Sequence, residues 1–230
     1  MNASSFRIRS FVRRSRQKAL ALKTCQTLLP SSGLNISNGF INPAIFFGRS
    51  APLFLEIGFG FGHSLLAAAK AHPEKDFIGV EVHQSGIAAL LLGIEEHRLN
   101  NLRVYEGDVI DILEKCIRDV SLEGIQIFFP DPWPKRRHHR RRLIQAEFVK
   151  LLALKLKPNG TLHLATDAED YARHMMKVLS EESALINLAS ENQFALRSVY
   201  RPIQTKFEKR AQQAGRFISE LQFAKKAVDR

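Results

Sequence analysis

Short apolar runs alternate with amphipathic stretches between residues 53 and 166. Each run is four to six residues long and is followed by polar residues, Gly or Asp, which is typical of buried strands that end at turns. The predicted strands are Leu53–Ile57, Phe77–Val82, Leu102–Tyr105, Ile125–Phe129 and Thr161–Ala165. Because helical patterns fill the gaps between them, the chain is predicted to form βα units around a mostly parallel sheet.

The predicted helices complete an α/β fold with a twisted sheet and helices on both faces. They are Ser64–Ala71, Ser85–Leu99, Val109–Arg118, Arg142–Leu156 and a last helix from Asp167 to about Ser180. Further on, Phe194–Val199 and Ile218–Phe223 are predicted strands that close the sheet with an antiparallel C-terminal edge. Residues 1–48 show little periodicity and are predicted to be a basic arm that orders only with a partner, whereas residues 49–230 form the main domain.

The composition excludes several classes of protein. Hydrophobic residues make up 45% of the chain, and its 16 Phe provide enough apolar surface to offset the entropy of ordering, which excludes general disorder. The two cysteines, Cys25 and Cys116, fit neither a disulfide framework nor a zinc site and favour a reducing compartment. Since no uncharged apolar stretch reaches about 18 residues, we expect a soluble protein without a membrane span. We also expect no bound metal, because neither the cysteines nor the histidines at 138 and 139 have further ligands at a suitable spacing.

The net charge of +11 is distributed unevenly along the chain. Residues 1–55 carry eight basic residues and no acidic one, whereas residues 56–130 carry twelve acidic and six basic residues. Clustered Lys and Arg neutralise phosphates, so this pattern favours a nucleic acid that is held by basic flanks while chemistry occurs in the acidic middle. Solvated surface charge, and a mitochondrial-type presequence at the N-terminus, are alternatives that charge alone leaves open.

Three alternating glycines follow the first predicted strand, in the segment LEIGFGFG at residues 55–62. Glycines in such a loop let the backbone approach a ligand closely, and Gly58 and Gly60 are the predicted contacts. A dinucleotide-binding loop would need Gly at position 63, where this chain has His63, which disfavours NAD. The loop resembles the S-adenosylmethionine site of class I methyltransferases, and a tight turn without a ligand is the alternative.

Acidic residues stand at the ends of the second and third predicted strands. Glu81 lies 19 residues beyond the last loop glycine, where a carboxylate can accept hydrogen bonds from both ribose hydroxyls. Asp108 can reach the exocyclic amine of an adenine, although a helix cap is the alternative for this residue taken alone. Because the carboxyl ends of parallel strands meet at one edge of a sheet, these residues predict a nucleoside pocket there.

The fourth predicted strand leads into the segment FFPDPWPKRRHHRRR at residues 128–142. Three prolines stiffen the loop that carries Asp131 and Trp133. Trp133 is predicted either to stack on a base or to fill a hydrophobic site. Consecutive arginines on a helix point about 100° apart, so they cannot all face one partner, and a nuclear-localisation signal is a weaker reading of the run. The predicted RNA contacts are Arg137, His138, His139, Arg140, Arg141 and Arg142.

Together these motifs resemble those of the bacterial tRNA (guanine-N7)-methyltransferases, the TrmB family. The resemblance rests on the glycine loop, GVEVH at 79–83, Gly-Asp at 107–108, the run at 128–142, Ala-Thr-Asp at 165–167, Thr-Lys-Phe-Glu at 205–208 and the basic segment RIRSFVR at 7–13. It implies a Rossmann-like class I methyltransferase fold and S-adenosyl-L-methionine as the cofactor. It also implies a cytoplasmic enzyme that methylates guanine 46 in the variable loop of tRNA.

The resemblance also implies two sets of site residues. The cofactor set is Glu56, Gly58, Gly60, Glu81, Asp108 and Asp131, and the substrate set is Lys135, Asp167, Thr205, Lys206, Phe207 and Glu208. Guanine N7 already carries a lone pair and needs no base, so we predict that Asp131 acts by stabilising the positive charge that develops on the ring. Asp167 and Glu208 are predicted to read the Watson–Crick edge of a guanine splayed out of the RNA, and Lys135 to hold phosphates.

Two other functions are compatible with the residues alone. One is an S-adenosylmethionine-dependent enzyme that methylates an exocyclic amine, because Asp-Pro-Trp at 131–133 is similar to the loop of amino-methyltransferases. The other is an RNA-binding protein whose nucleoside pocket has lost turnover. The sequence leaves open whether the protein is a monomer or a homodimer and which tRNA isoacceptors it binds.

Overall fold

Five parallel strands form the centre of the sheet in the computed structural model, which describes residues 19–34, 39–197, 204 and 206–227. These strands are β1 (Leu53–Ile57), β2 (Asp76–Glu81), β3 (Leu102–Glu106), β4 (Leu122–Phe128) and β5 (Leu156–Thr166). Two further strands, β6 (Leu185–Asn187) and β7 (Ser219–Lys225), complete the sheet in the order β3-β2-β1-β4-β5-β7-β6. Because β7 is antiparallel to both of its neighbours, the predicted fold class is confirmed, including its antiparallel C-terminal edge.

Helices cover both faces of the sheet. They are α1 (Ala19–Ser32), α2 (Pro43–Phe47), α3 (His63–Ala71), α4 (Gln84–His97), α5 (Val109–Lys115), α6 (Ala146–Lys155), α7 (Glu169–Glu181) and α8 (Lys206–Gln213). Successive side chains of a strand point to opposite faces, so Phe54 packs with α1, α3 and α4, whereas Leu55 packs with α5, α6 and α7. None of the helices in the described part of the chain is long and apolar enough to cross a membrane.

Two observed element boundaries differ from the predicted ones, at places where the backbone is less regular than the apolar pattern suggests. Residues 136–141 form a 3₁₀ helix, and Gln145 is extended, so α6 begins at Ala146 instead of the predicted Arg142. β5 extends back to Leu156, and its register against β4 shifts between Leu122 and Gly124. Residues 157–160 therefore belong to an irregular stretch of the strand and not to a turn that precedes it.

The C-terminal edge differs from its prediction in one strand. β7 confirms the strand predicted at 218–223, but its outer partner is β6, which the sequence analysis missed. Within the described residues 194–197 of the other predicted strand, only an isolated bridge between Ala195 and Glu220 is present, and residues 198–199 lie outside the described part. The short β6 has too few residues for an alternating pattern to be recognised.

Part of the predicted N-terminal arm packs on the main domain. The segment 19–34 forms α1 and continues to Leu34, which donates its N–H to the Val104 carbonyl at 2.8 Å. Cys25 and Ile41 are buried, at 3% and 6% exposure, in the two halves of the core. Residues 1–18 lie outside the described part, so an arm that orders only with a partner stays a prediction for them.

Candidate active site

The glycine loop between β1 and α3 forms one wall of a cavity at the carboxyl edge of the sheet. Gly58, Gly60 and Gly62 have φ angles of 72°, 59° and 74°, a left-handed conformation that favours glycine. The loop is fixed to β2 because the Gly58 N–H donates to the Val80 carbonyl at 2.8 Å. A Cβ added to Gly58 or Gly60 would meet no atom within 4 Å, so this part of the loop borders open space that a ligand can fill.

The carboxylate of Glu81 fastens the glycine loop to the end of β2. Its Oε2 accepts a hydrogen bond from the Gly60 N–H at 2.9 Å, while Oε1 accepts from the N–H groups of Val82 and His83 at 2.7 and 3.0 Å. An ionised carboxylate has about four acceptor sites, so these three bonds leave capacity for a ligand hydroxyl. Glu81 therefore has a structural role that the sequence did not predict, in addition to its predicted contact with a ribose.

The cavity has a volume of about 590 Å³ and lies between the glycine loop, the end of β2 and the loop after β4. Five of the six predicted cofactor residues line it: Glu56, Gly58, Gly60, Glu81 and Asp131. Ser64, which the sequence analysis passed over, lines it too, and its Oγ is buried without a hydrogen-bond partner. A buried hydroxyl without a partner is costly, so Ser64 marks a place where a polar ligand group fits.

Asp108 is the predicted cofactor residue that does not line this cavity. Its Oδ1 accepts a hydrogen bond from the Ile110 N–H at 2.9 Å and so caps the N-terminus of α5. Gly107 lines the cavity in its place. The helix-cap alternative therefore describes Asp108 better than the predicted contact with adenine, because the carboxylate is turned toward its own helix.

The proline-rich loop after β4 brings Asp131 to the cavity opposite the glycine loop. Asp131 is exposed, and it lies between two residues with left-handed backbone, Phe129 at φ 52° and Trp133 at φ 45°. Such conformations are strained for residues with a Cβ and tend to occur at functional sites. The loop begins from a fixed point, because the Phe129 N–H donates to the Ala165 carbonyl of β5 at 2.8 Å.

Trp133 lines the cavity as a half-buried side chain. The guanidinium carbon of Arg141 lies 5.1 Å from the centroid of its ring, and the ring of His138 meets it edge-on at 5.8 Å. Burial and the positive charges of Arg141 and Arg137 lower the pKa of His138, which favours a neutral ring at pH 7. Trp133 and Arg141 thus form an aromatic and cationic wall of the cavity.

The basic run presents some of its side chains to solvent and turns others inward. Lys135, Arg137 and Arg140 are exposed, as predicted contacts of an RNA should be. Arg142 departs from the predicted set, because it is only 2% exposed. Its Nε donates to the Pro132 carbonyl at 2.9 Å and its Nη2 to the Asp170 carboxylate, so its guanidinium has no surface left for a phosphate.

Two predicted substrate residues of the C-terminal part have described side chains, Asp167 and Glu208, and neither lines the cavity. Asp167 pairs with Arg216 at 3.0 Å, and Glu208 of α8 is fully buried and pairs with Arg197 at 3.0 Å. Thr205 lies outside the described residues, as do the side chains of Lys206 and Phe207. The residue of α8 that lines the cavity is Arg210, which no pattern in the sequence had indicated.

The described part of the chain contains no cluster of potential metal ligands. No group of three or more His, Cys, Asp or Glu side chains there is arranged to hold a metal ion. The two histidines of the basic run are instead engaged with their neighbours: His139 lies 3.7 Å from Asp170, and His138 contacts Trp133.

Comparison with known proteins relates both the sequence and the fold to methyltransferases. A family model described as "putative methyltransferase" matches residues 50–221. A tRNA (guanine-N(7)-)-methyltransferase of Idiomarina loihiensis is 48% identical over 94% of this chain and 88% of the relative. Another protein of that name, from Nitrosomonas eutropha, is 49% identical over 96% of this chain and 97% of the relative.

Solved structures share the fold at low sequence identity. The 16S rRNA methyltransferase KamB matches with a TM-score of 0.57 and 12% identity, covering 82% of this chain and 95% of that chain. A 30S ribosomal A1408 methyltransferase from an uncultured bacterium matches with a TM-score of 0.55 and 16% identity, covering 79% and 91%. At such identities the likeness concerns the fold alone, and it supports the Rossmann-like methyltransferase architecture.

Proposed function

The chain belongs to the family of the tRNA (guanine-N(7)-)-methyltransferases, and from this premise we propose that it transfers a methyl group from S-adenosyl-L-methionine to N7 of a guanine in tRNA. The observation that carries the proposal is the cavity, since five motif residues of the predicted cofactor set converge on it from the carboxyl ends of β1, β2 and β4 and the loops that follow β1 and β4. By resemblance to the family, the acceptor is guanine 46 of the variable loop and the product is 7-methylguanosine. By the same resemblance, we propose that the enzyme acts in the cytoplasm.

The residues of the cavity fit S-adenosylmethionine. The open space beside Gly58 and Gly60 admits a ligand against the backbone, and Glu81 keeps acceptor capacity for ribose hydroxyls. The buried Oγ of Ser64 offers one polar contact more. When bound, S-adenosylmethionine supplies a methyl group on a positively charged sulfur, which becomes a neutral thioether as N7 forms its bond to the methyl carbon.

We assign the catalytic role to Asp131, which lines the cavity and carries a carboxylate. Guanine N7 attacks with its own lone pair, so the site needs no strong base, and the purine ring becomes cationic as the bond forms. A carboxylate at the cavity wall stabilises that charge more in the transition state than in the ground state, which is the condition for accelerating the reaction. The same carboxylate can accept hydrogen bonds from N1–H and the amino group of guanine.

The exposed basic residues beside the cavity would hold the tRNA backbone. Lys135, Arg137 and Arg140 project from the start and the surface of the 3₁₀ helix, so they can pair with phosphates near the guanine. Arg141 stands against Trp133 at the cavity itself, where a splayed base and its phosphate would enter. Contacts of guanine with Asp167 and with residues 205–208 remain predictions that rest on the resemblance.

The proposal is tested by mapping the modified nucleotide. Unmodified tRNA transcript is incubated with the protein and with S-adenosylmethionine labelled in the methyl group, and 7-methylguanosine is located by its susceptibility to strand cleavage after reduction. We expect label at guanine 46 and none in a transcript that carries adenine there. Label on an exocyclic amine would instead support the amino-methyltransferase alternative, and tRNA binding without transfer would support a binding protein.

A further inference from the structure

The guanidinium of Arg142 lies inside the protein and joins the loop of Asp131 to helix α7. Its Nε donates to the Pro132 carbonyl at 2.9 Å, and its Nη2 donates to the carboxylate of Asp170 in the first turn of α7. The guanidinium carbon also lies 4.7 Å from the centroid of the Tyr171 ring. Three kinds of contact therefore hold one side chain that is only 2% exposed.

The Tyr171 side chain, against which the guanidinium of Arg142 packs, is itself held in place. The hydroxyl of Tyr171, whose ring is fully buried, accepts a hydrogen bond from the Ile144 N–H at 3.1 Å, two residues beyond Arg142. The pKa of Asp170 is lowered, because the hydrogen bond and the charge of Arg142 outweigh the burial that acts to raise it. The segment 142–144 and the start of α7 thus form one rigid unit.

The Pro132 carbonyl is the atom through which this unit acts on the cavity. This carbonyl belongs to the peptide bond between Pro132 and Trp133. Rotation about the next backbone bond, from the nitrogen to the Cα of Trp133, defines the φ angle of Trp133. That φ is 45°, a left-handed value that a tryptophan holds only when its surroundings impose it. Prolines at 130, 132 and 134 lack N–H groups, so the loop has few hydrogen bonds of its own with which to do this.

We propose that Arg142 is a positioning residue for methyl transfer, which sets the peptide between Pro132 and Trp133 and thereby holds Asp131 and Trp133 against the cavity. Asp131 precedes the held carbonyl by one residue, and Trp133 follows it directly. The inference rests on the proposed function, since it assigns Arg142 to the geometry of that site. It differs from the sequence-based expectation that Arg142 contacts RNA.

The single tryptophan of the chain makes the proposal measurable without any substrate. Fluorescence of Trp133 reports on this loop alone. Arg142→Lys keeps the charge but cannot make the two hydrogen bonds of the guanidinium, and Asp170→Asn weakens the anchor from the other side. In both variants we expect emission at longer wavelength and stronger quenching by acrylamide, with Arg173→Lys, an exposed arginine of the same helix, as the matched control.

Kinetic and binding measurements distinguish a positioning role of Arg142 from a direct contact with RNA and from a role that does not affect the cavity. In Arg142→Lys we expect kcat at saturating tRNA to fall about ten- to hundredfold, because small displacements of reacting groups have effects of that size. The dissociation constant of tRNA and its salt dependence should stay unchanged, whereas Arg140→Met should weaken tRNA binding and flatten the salt dependence. Circular dichroism and thermal unfolding confirm that the compared variants are folded.

Several results would overturn the proposal. A folded Arg142→Lys with wild-type fluorescence and kcat would show that the guanidinium sets nothing at the cavity. If Arg142→Lys binds tRNA more weakly and with a flatter salt dependence, as expected for Arg140→Met, Arg142 contacts the RNA instead. If Arg142→Lys does not fold, Asp170→Asn decides by the same measurements, since Asp170 is half exposed. The fluorescence comparison decides the proposal even if the acceptor is not a tRNA guanine.

Discussion

The carboxylate of Asp131 is the group whose charge matters most at the level of single residues. Replacement by Asn keeps the shape of the side chain and removes the charge that would stabilise a cationic guanine. We expect Asp131→Asn to lower kcat by about 10²- to 10³-fold, the size found when one preorganised charge-stabilising group is removed. Single-turnover methyl transfer at saturating tRNA and cofactor measures this. Glu114→Gln, an exposed carboxylate of α5, is the matched control, and near wild-type turnover in Asp131→Asn would refute the assignment.

Glu81 combines two roles, and a conservative variant tests them together. In Glu81→Gln one carboxylate oxygen becomes an amide nitrogen, which faces the N–H of Gly60 or those of Val82 and His83 with a donor instead of an acceptor. Leaving such a buried donor unsatisfied costs about 1–3 kcal/mol and loosens the loop against which the ligand binds, so the affinity for S-adenosylhomocysteine should fall by about 5- to 150-fold. Calorimetry measures it, with filter binding of tRNA and the variant Glu106→Gln as references. Unchanged cofactor affinity would disprove the pocket assignment.

Individual residues also differ in whether their place at the cavity could be predicted from the sequence. Glu81 and Asp131 could be predicted to line the cavity because one ends a strand and the other follows one, and strand ends converge by topology, whereas Glu56 was predicted from its motif alone. Asp108 stands at a strand end too, but its side chain caps its own helix, which the sequence alone could not decide. Arg210 gave no signal, because its approach to the cavity depends on how α8 packs and not on any local pattern.

At the scale of elements, helix α4 approaches the glycine loop closely at Gly86. A Cβ at Gly86 would lie 2.0 Å from the Gly60 carbonyl oxygen, so the helix or the loop must move to accept a larger residue. We expect Gly86→Ala to destabilise the fold by about 1–3 kcal/mol and to weaken cofactor binding. Urea unfolding and calorimetry measure the two effects.

Gly93 of the same helix provides the control for Gly86. A Cβ there would meet Cδ2 of Leu66 at 2.7 Å, and that atom is the end of a side chain that can rotate away. Since alanine is favoured over glycine inside helices by up to about 1 kcal/mol, Gly93→Ala should be neutral or stabilising and should leave cofactor affinity unchanged. Equal behaviour of the two variants would mean that the α4–loop contact does not shape the site.

Strands and helices with a regular pattern of apolar residues could be predicted from the sequence. Elements that depend on contacts with distant parts of the chain could not. The predicted parts of the five central strands are short, nearly continuous apolar runs that are largely buried on both faces of the sheet, so their positions follow from the pattern of apolar residues along the chain. β6 has three residues and exists because β7 pairs with it, and α1 is held by its packing on α4. The basic run looked uniform in sequence, yet a 3₁₀ helix sends Arg140 to solvent and leaves Arg142 inside.

For the whole molecule, the uneven charge predicts how the protein binds RNA. If exposed basic residues contact phosphates, the logarithm of the tRNA binding constant should fall linearly with the logarithm of the salt concentration. Each contact removed should flatten the slope by somewhat under one unit. We therefore expect Arg137→Glu/Arg140→Glu to weaken binding to all tRNAs alike and to flatten the slope. Affinity for S-adenosylhomocysteine should not change, because neither side chain lines the cavity.

The matched control reverses two charges at the opposite edge of the sheet. Lys70 lies in the last turn of α3, whose first turn is at the cavity, and Arg118 follows the end of α5. Lys70→Glu/Arg118→Glu therefore makes the same change in net charge away from the site. Deleting residues 1–16 removes five arginines and should have a milder effect than the double reversal, because an arm that orders on binding loses part of its contact energy as entropy. Filter binding at several salt concentrations compares the four proteins. Equal slopes in wild type and the Arg137/Arg140 variant, or equal weakening in the control, would show that net charge alone, and not this surface, attracts the RNA.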